Sequence, residues 1–275
     1  MSLVAGNAER LRGIDGLACD LDGVIYRGAE PIDGSPEAIG RLRELGVRIV
    51  FCTNNASPTI DRYLRKLRAM GVEVQAEELV TSAVVTVEVL SARGVVGKKA
   101  IVVGEDGLRE ALTSIDVEVN DDENSVSADF VVVGFDQNFN YAALRRASFA
   151  IQGGAQLIAC NADASFPAAD GLWPGAGSLV AAIETASGVT AEVMGKPHEQ
   201  MMRSTQRHLG DASRIAIAGD RPNTDLEGGR VMGWTTILVL SGVTSREDLQ
   251  SLATPPDIVI ERLADLPELF TDLRA

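Results

Sequence analysis

Asp20 and Asp22 stand two residues apart in Asp20-Leu21-Asp22-Gly23-Val24, directly after the apolar run Gly16-Leu17-Ala18-Cys19. Three further polar groups stand out along the chain: Thr53-Asn54-Asn55 after Val47 to Cys52, Gly195-Lys196-Pro197, and Gly219-Asp220 followed by Thr224-Asp225. Carboxylates, a lysine and small hydrogen-bonding side chains are the groups that chemistry on a phosphate monoester demands. Such an ester is a dianion, so a bare carboxylate cannot approach its phosphorus until charge is offset. Magnesium offsets it with only a few carboxylate ligands, water and phosphate oxygens completing its octahedron. Asp20 and Asp220 are candidate side-chain ligands, the backbone carbonyl of Asp22 is a third, and Asp225 is a direct or water-mediated supporter. Asp20 can then attack phosphorus and form an aspartyl-phosphate, which water cleaves. Gly23 lets the chain turn tightly enough to bring both carboxylates to one site. The Thr53 hydroxyl and the amides around Asn54 and Asn55 can hold phosphoryl oxygens, aided by the amino end of a following helix. Lys196 supplies a positive point charge to the transferring group.

Each group alone also has a plainer explanation. A D-x-D-G turn after an apolar strand is equally a helix-approach loop or a calcium-like turn. Thr53-Asn54-Asn55 is a helix cap before Pro58, Gly219-Asp220 with Thr224-Asp225 is a turn plus an N-cap, and Lys196 is a surface lysine in a turn. Their joint appearance at apparent strand ends is what points to one site, because ligands of open parallel sheets sit at the carboxyl ends of the strands.

The elements that must position these residues alternate between strand and helix periodicity. Pro36 to Leu45 has helical spacing, Val47 to Cys52 is a short apolar strand, and Asp61 to Met70 is an amphipathic helix stopped by Gly71. The rhythm returns with a strand Ile215 to Ala218, a helix Asp225 to Met232 and an apolar run Thr236 to Leu240. Between these halves lies a second alternating block: Lys99 to Val103, Gly107 to Ser114, Phe130 to Val133, Tyr141 to Gly153, Gln156 to Cys160 and Ala176 to Ala186. The pattern predicts an α/β protein with a doubly wound, Rossmann-like parallel-sheet core and a large inserted α/β cap. The core takes residues 1–81 and 193–275 and the cap 82–192, with hinges near Thr81 and Val193.

Composition narrows the partners. The chain has 275 residues, 45% of them apolar, and a formal net charge of -14 from 39 acidic and 25 basic residues. That charge disfavours nucleic acid and anionic membranes, so an anionic substrate needs a local remedy. Cys19, Cys52 and Cys160 are odd in number and set in apolar segments, as expected of reduced thiols in a cytoplasmic protein. Met1 to Arg12 lacks the apolar run of a signal peptide, and no stretch approaches the ~18 apolar residues of a membrane span. Gly175-Ala176-Gly177 lacks the preceding strand and third glycine of a dinucleotide loop, and neither His198 nor His208 has a partner at metal-ligand spacing. Cys19, beside Asp20, is expected to be a packed core thiol.

Taken together, these motifs resemble those of the haloacid dehalogenase superfamily of aspartate-nucleophile phosphatases. The similarity is closest to its large-cap subgroup, which includes the NagD-like, phosphoglycolate and pyridoxal phosphatases. Tyr26-Arg27-Gly28, Pro31 with Gly34, Val80-Thr81-Ser82, Asn161-x-Asp163 with Pro167, Gly171, and Pro174-Gly175-x-Gly177 extend the resemblance over essentially the whole chain. Cys160, where such proteins often carry threonine, and Pro222-Asn223 depart from the pattern without removing a catalytic group.

The resemblance implies that Asp22 is general acid for the leaving alkoxide and general base for water. Caps of that subgroup often pair, which leaves both a monomer and a homo-oligomer joined through the cap open. The expected activity is magnesium-dependent hydrolysis of small phosphate monoesters, a class spanning sugar phosphates, phosphoglycolate, glycerol phosphate, nucleotides and pyridoxal phosphate. A phosphotransferase or mutase would differ only in the acceptor that meets the aspartyl-phosphate. A haloalkanoate dehalogenase would need neither magnesium nor Asp22, Asp220 and Asp225, and a non-catalytic phosphometabolite sensor would not need the full set. In the insert, the polar turn Asn161 to Asp163, with Phe166-Pro167 and Asp170-Gly171, is the candidate substrate-facing surface; a solvated loop with capping residues is its alternative.

Overall fold

The computed structural model describes residues 3–168 and 171–273; Asp170, named above with the cap turn, lies outside them. Two compact units result. One comprises Met1–Thr53, Leu64–Val80 and Lys196–Ala275, the other Asn54–Tyr63 and Thr81–Gly195. The sequence reading gave all of 1–81 to the core; here residues 54–63 belong with the insert. Hydrogen bonds explain that difference: the Asn54 carbonyl accepts from Ser82 Oγ and Asn161 Nδ2, and Gly107 N donates to the Ser57 carbonyl.

The first unit is built on a seven-stranded sheet in the order Leu3–Gly6, Ile258–Ile260, Thr235–Val239, Ile215–Gly219, Gly16–Cys19, Arg48–Thr53, Leu79–Thr81. From Gly16–Cys19 the chain winds outward through Arg48–Thr53 and Leu79–Thr81. It later returns to the other side of Gly16–Cys19 and winds through Ile215–Gly219, Thr235–Val239 and Ile258–Ile260. The reversal makes the carboxyl edge between Gly16–Cys19 and Ile215–Gly219 a topological switch point. Parallel register pairs Cys19 with both Ala218 and Phe51, and Asp20 N donates to the Ala218 carbonyl at 2.9 Å. Asp20, Asp220 and Thr53 therefore emerge at one end of three adjacent strands. These central strands are buried along almost their whole length, and their near-continuous apolar runs suit a sheet covered on both faces. Leu3–Gly6 pairs antiparallel with Ile258–Ile260, an edge the sequence reading did not anticipate.

Local chemistry accounts for the element ends. The helix Ser35–Glu44 starts with Pro36 in its first turn, after Gly34 at φ 74°, and buries Ala38, Ile39 and Leu42 at helical spacing. The helix expected over Asp225 to Met232 is instead a π-helical turn, Pro222–Leu226, running into a short α-helix, Glu227–Val231. The Glu227 N–H reaches the Pro222 carbonyl five residues back, the spacing of a π turn, while Asp225 Oδ2 accepts from Arg221 N at 3.0 Å.

The second unit carries a wholly parallel five-stranded sheet, ordered Glu192–Val193, Gln156–Ala159, Phe130–Val133, Lys99–Val103, Glu118–Val119. Ile101, Val131, Val133, Leu157, Leu179 and Ile183 belong to its core, which joins the sheet to the helices Tyr141–Gln152 and Ala176–Ser187. An antiparallel hairpin, Ser165–Ala168 with Gly171–Pro174, adds a smaller layer. Among the described residues, no helix is long and apolar enough to cross a membrane.

Candidate active site

The switch point gathers the sequence-flagged carboxylates of the first unit. Asp20, Asp220 and Asp225 are all buried, and one oxygen from each lies within 4.8 Å of the others. Lys196, 4% exposed, reaches into the cluster: its Nζ lies 2.6 Å from Asp20 Oδ1, 2.6 Å from Asp225 Oδ1 and 2.8 Å from the Cys52 carbonyl oxygen. The surface-lysine alternative is thereby removed. Thr53 is buried at the end of its strand.

Glycines shape this cluster. A Cβ on Gly242 or Gly219 would overlap the Asp220 or Asp225 carboxylate respectively, and one on Gly23 would lie 2.5 Å from Asp220 Oδ2. Gly23, at φ 85°, also needs the left-handed backbone that glycine tolerates. The loop after Thr235–Val239 completes the enclosure. Val243 N donates to Asp220 Oδ2 and Thr244 Oγ1 to the Asp220 carbonyl, both at 2.6 Å, while Ser241 Oγ donates to the Gly23 carbonyl at 2.7 Å. None of Ser241 to Thr244 was singled out from the sequence. Their signal is a run of small residues directly after an apolar strand.

Electrostatics define what the cluster lacks. With every group ionised, three carboxylates and one ammonium leave two uncompensated negative charges in a buried site. Burial pushes the Asp20 carboxyl well above the usual range, and although Lys196 opposes this, Asp225 and Asp220 add to it. Burial and Asp225 push Asp220 up to about 6. Burial works against the charge on Lys196, yet Asp20 and Asp225 more than restore it, and its pKa ends well above the ordinary lysine value. Asp225 Oδ1 is buried and makes no hydrogen bond; its ion-pair contact is Lys196 Nζ. An under-compensated, all-oxygen donor set of this kind fits a hard divalent cation.

Asp22 differs in setting. Its side chain is exposed, though neighbouring protein desolvates the carboxyl enough to raise its pKa against the pull of Lys66 and Arg221. Lys66, absent from the sequence reading, is half-buried with its Nζ 3.3 Å from the centroid of the Tyr26 ring.

The remaining flagged residues lie in the second unit. Asn54 Nδ2 donates to Asp163 Oδ1 and Oδ2 at 3.2 and 3.1 Å, and Asn161 Nδ2 donates to the Asn54 carbonyl at 2.7 Å. Asn55 Oδ1 accepts from Ser57 N at 2.9 Å, a local turn ahead of the helix Ile60–Ala69, whose first turn is met by Thr59 Oγ1 accepting from Arg62 N, so Asn55 is not the helix cap that was its plainer alternative. Asn161 is buried and Asp163 half-buried. In the first unit, His198 is the N-cap residue of the helix Glu199–His208, and all three cysteines of the chain are buried and free.

Family comparison agrees with this architecture. Residues 17–118 match the haloacid dehalogenase-like hydrolases and residues 193–266 match a HAD-hydrolase-like family. The acid sugar phosphatase of Staphylococcus aureus strain USA300 is 34% identical over 92% of this chain and 96% of its own length. The chain therefore belongs to the haloacid dehalogenase-like hydrolases and, within them, to the phosphoric monoester hydrolases. Among solved structures, p-nitrophenyl phosphatase from Archaeoglobus fulgidus superposes with a TM-score of 0.86 at 34% identity, covering 93% of this chain and 98% of that one. A glycerol phosphate phosphatase from Mycobacterium tuberculosis, in complex with magnesium, gives 0.84 at 31% identity over 94% of this chain and 77% of its own.

Proposed function

We propose that this protein is a magnesium-dependent phosphatase of small phosphorylated metabolites that works through an aspartyl-phosphate on Asp20. The observation that carries the reading is the charge imbalance of Asp20, Asp220 and Asp225 around a single buried lysine. Those three carboxylates, with the Asp22 backbone carbonyl, would hold the ion. Magnesium would supply the missing positive charge and polarise the phosphoryl group.

The residues do the rest. An oxygen of Asp20 attacks phosphorus, the bond from phosphorus to the ester oxygen breaks, and the departing alkoxide takes the proton of Asp22. Asp22, now a carboxylate, removes a proton from water as the water oxygen attacks phosphorus and releases Asp20. The raised pKa of Asp22 suits its first role, because a protonated donor must be present when the alkoxide leaves. Lys196 opposes the charge that develops on the transferring group. Thr53 and the backbone amides at Asn54 and Asn55 are the proposed phosphoryl cradle.

Names of relatives point to the substrate class: an acid sugar phosphatase, a p-nitrophenyl phosphatase and a glycerol phosphate phosphatase. A panel of sugar phosphates, glycerol phosphate, phosphoglycolate, nucleoside monophosphates and pyridoxal phosphate, assayed for phosphate release with magnesium and with excess chelator, tests the proposal. Release from at least one small ester, silenced by chelation, is expected. Undiminished release in chelator would overturn the metal assignment, and transfer to an acceptor without phosphate release would make the protein a transferase.

A further inference from the structure

The polar turn after the strand Gln156–Ala159 is turned inward. Asn161 is buried, and its Nδ2 donates to the Asn54 carbonyl at 2.7 Å, while its Oδ1 accepts from Asp163 N at 3.1 Å. Both oxygens of Asp163 accept from Asn54 Nδ2. Ser82 Oγ, at 2.5 Å, is a second donor to the Asn54 carbonyl. Two glycines hold the turn from behind: Gly175 N donates to the Ala164 carbonyl and Gly177 N to the Asp163 carbonyl, and a Cβ on either glycine would overlap the backbone at Ala162 or Asp163. That is the physical reason for Pro174-Gly175-x-Gly177 at the start of its helix.

These bonds fix the orientation of one peptide and one side chain. Asp163 is an acceptor, so only the amino face of the Asn54 carboxamide can meet it. Asn54 Oδ1 lies instead where a Cβ on Gly195 would come within 2.6 Å. The Asn54 carbonyl, with both lone pairs engaged, cannot swing. In a planar trans peptide, C=O and the next N–H point in opposite directions, so pinning the Asn54 carbonyl also aims the Asn55 N–H. The following peptide is held too, by Tyr63 Oη donating to the Asn55 carbonyl at 3.2 Å.

We propose that Ser82, Asn161 and Asp163 are positioning residues for the phosphoryl-binding loop Asn54-Asn55, holding its carboxamide and peptide in place without touching the substrate. The proposal rests on the reading of that loop given above and changes what Asn161 and Asp163 do: they serve every ester alike and do not choose among esters. Asp163→Leu and Asn161→Ala lower kcat/KM by about 10- to 100-fold, the range in which small misplacements of a reacting group act. The loss is uniform across p-nitrophenyl phosphate, glycerol phosphate and a hexose phosphate, and inhibition by inorganic phosphate weakens in parallel. Asp163→Asn, whose amide oxygen still accepts a hydrogen bond, recovers most of the rate. The Asn54 side-chain amide resonances, assigned by nitrogen-15 NMR with an Asn54→Asp control, shift in Asp163→Leu. Unshifted Asn54 resonances in that variant, or a loss confined to the hexose phosphate with p-nitrophenyl phosphate untouched, would overturn the proposal. A wild type that hydrolyses no ester would refute the phosphatase reading instead, and the resonances with inorganic phosphate binding would then decide the positioning role alone.

Discussion

Without a bound cation, the stability of this protein should depend on pH in a direction the acidic cluster dictates. In the metal-free fold, burial and Asp225 raise Asp220 to about 6, whereas the carboxyl of an unfolded chain titrates near 3.9. A carboxyl raised by folding binds its proton more tightly in the native state. Its contribution to stability is therefore fully present below the unfolded value and lost as pH rises through about 6. At roughly 1.36 kcal/mol per unit, a shift of about two units corresponds to about 3 kcal/mol. For a chain of this length that is a change of about 5 °C in melting temperature. Magnesium bound as proposed would take the deprotonated carboxylates and act in the opposite sense, its stabilising effect growing with pH. Melting curves from pH 5 to 7.5 in magnesium and in chelator read about half of that change, the rest being lost between the unfolded value and pH 5, and titrations outside the cluster cancel in the difference. The magnesium-minus-chelator difference should be small at pH 5, grow through pH 6, and collapse in Asp220→Asn. A flat difference, or one that survives Asp220→Asn, would refute the argument that this cluster is a divalent-cation site.

Asp22→Asn should cost poor alkoxide leaving groups, such as glycerol phosphate, about 10²- to 10⁴-fold, and p-nitrophenyl phosphate much less. Equal losses in kcat on both would deny Asp22 the proton-donor role. Gly242→Ala, whose Cβ would overlap the Asp220 carboxylate, should weaken magnesium activation by at least about tenfold, one misplaced ligand being enough. An unchanged magnesium titration in that variant would show that Asp220 is not a ligand.

Much of this was legible in the chain because strand ends are visible as apolar runs that stop at polar residues. Lys99–Val103 and Phe130–Val133 lie where periodicity put them, and Asp20, Thr53 and Asp220 follow from runs ending at Cys19, Cys52 and Gly219. Ser82–Ala92 was missed because Ser-Ala-Val-Val-Thr-Val-Glu-Val-Leu is apolar on every side and shows no helical stripe. The π-helical turn at Pro222–Leu226 lies where helical spacing predicts an ordinary helix, because the Glu227 N–H to Pro222 carbonyl bond that widens it leaves no mark on hydrophobic periodicity. Asn161 and Asp163 were recognisable as special, but not their direction. Whether a polar turn faces substrate or a neighbouring loop depends on long-range hydrogen bonds to Asn54, which lies more than 100 residues earlier in the chain.

The nucleophile is the point on which the account stands. Asp20→Asn removes the proposed attacking oxyanion while leaving a side chain of the same shape, and phosphate release from the best ester of the panel, in saturating magnesium, measures the consequence. A loss of about 10⁴-fold or more is expected, on the scale seen when an essential nucleophile is removed. Folded Asp20→Asn protein that keeps a rate within tenfold of the wild type would contradict catalysis through an aspartyl-phosphate at Asp20.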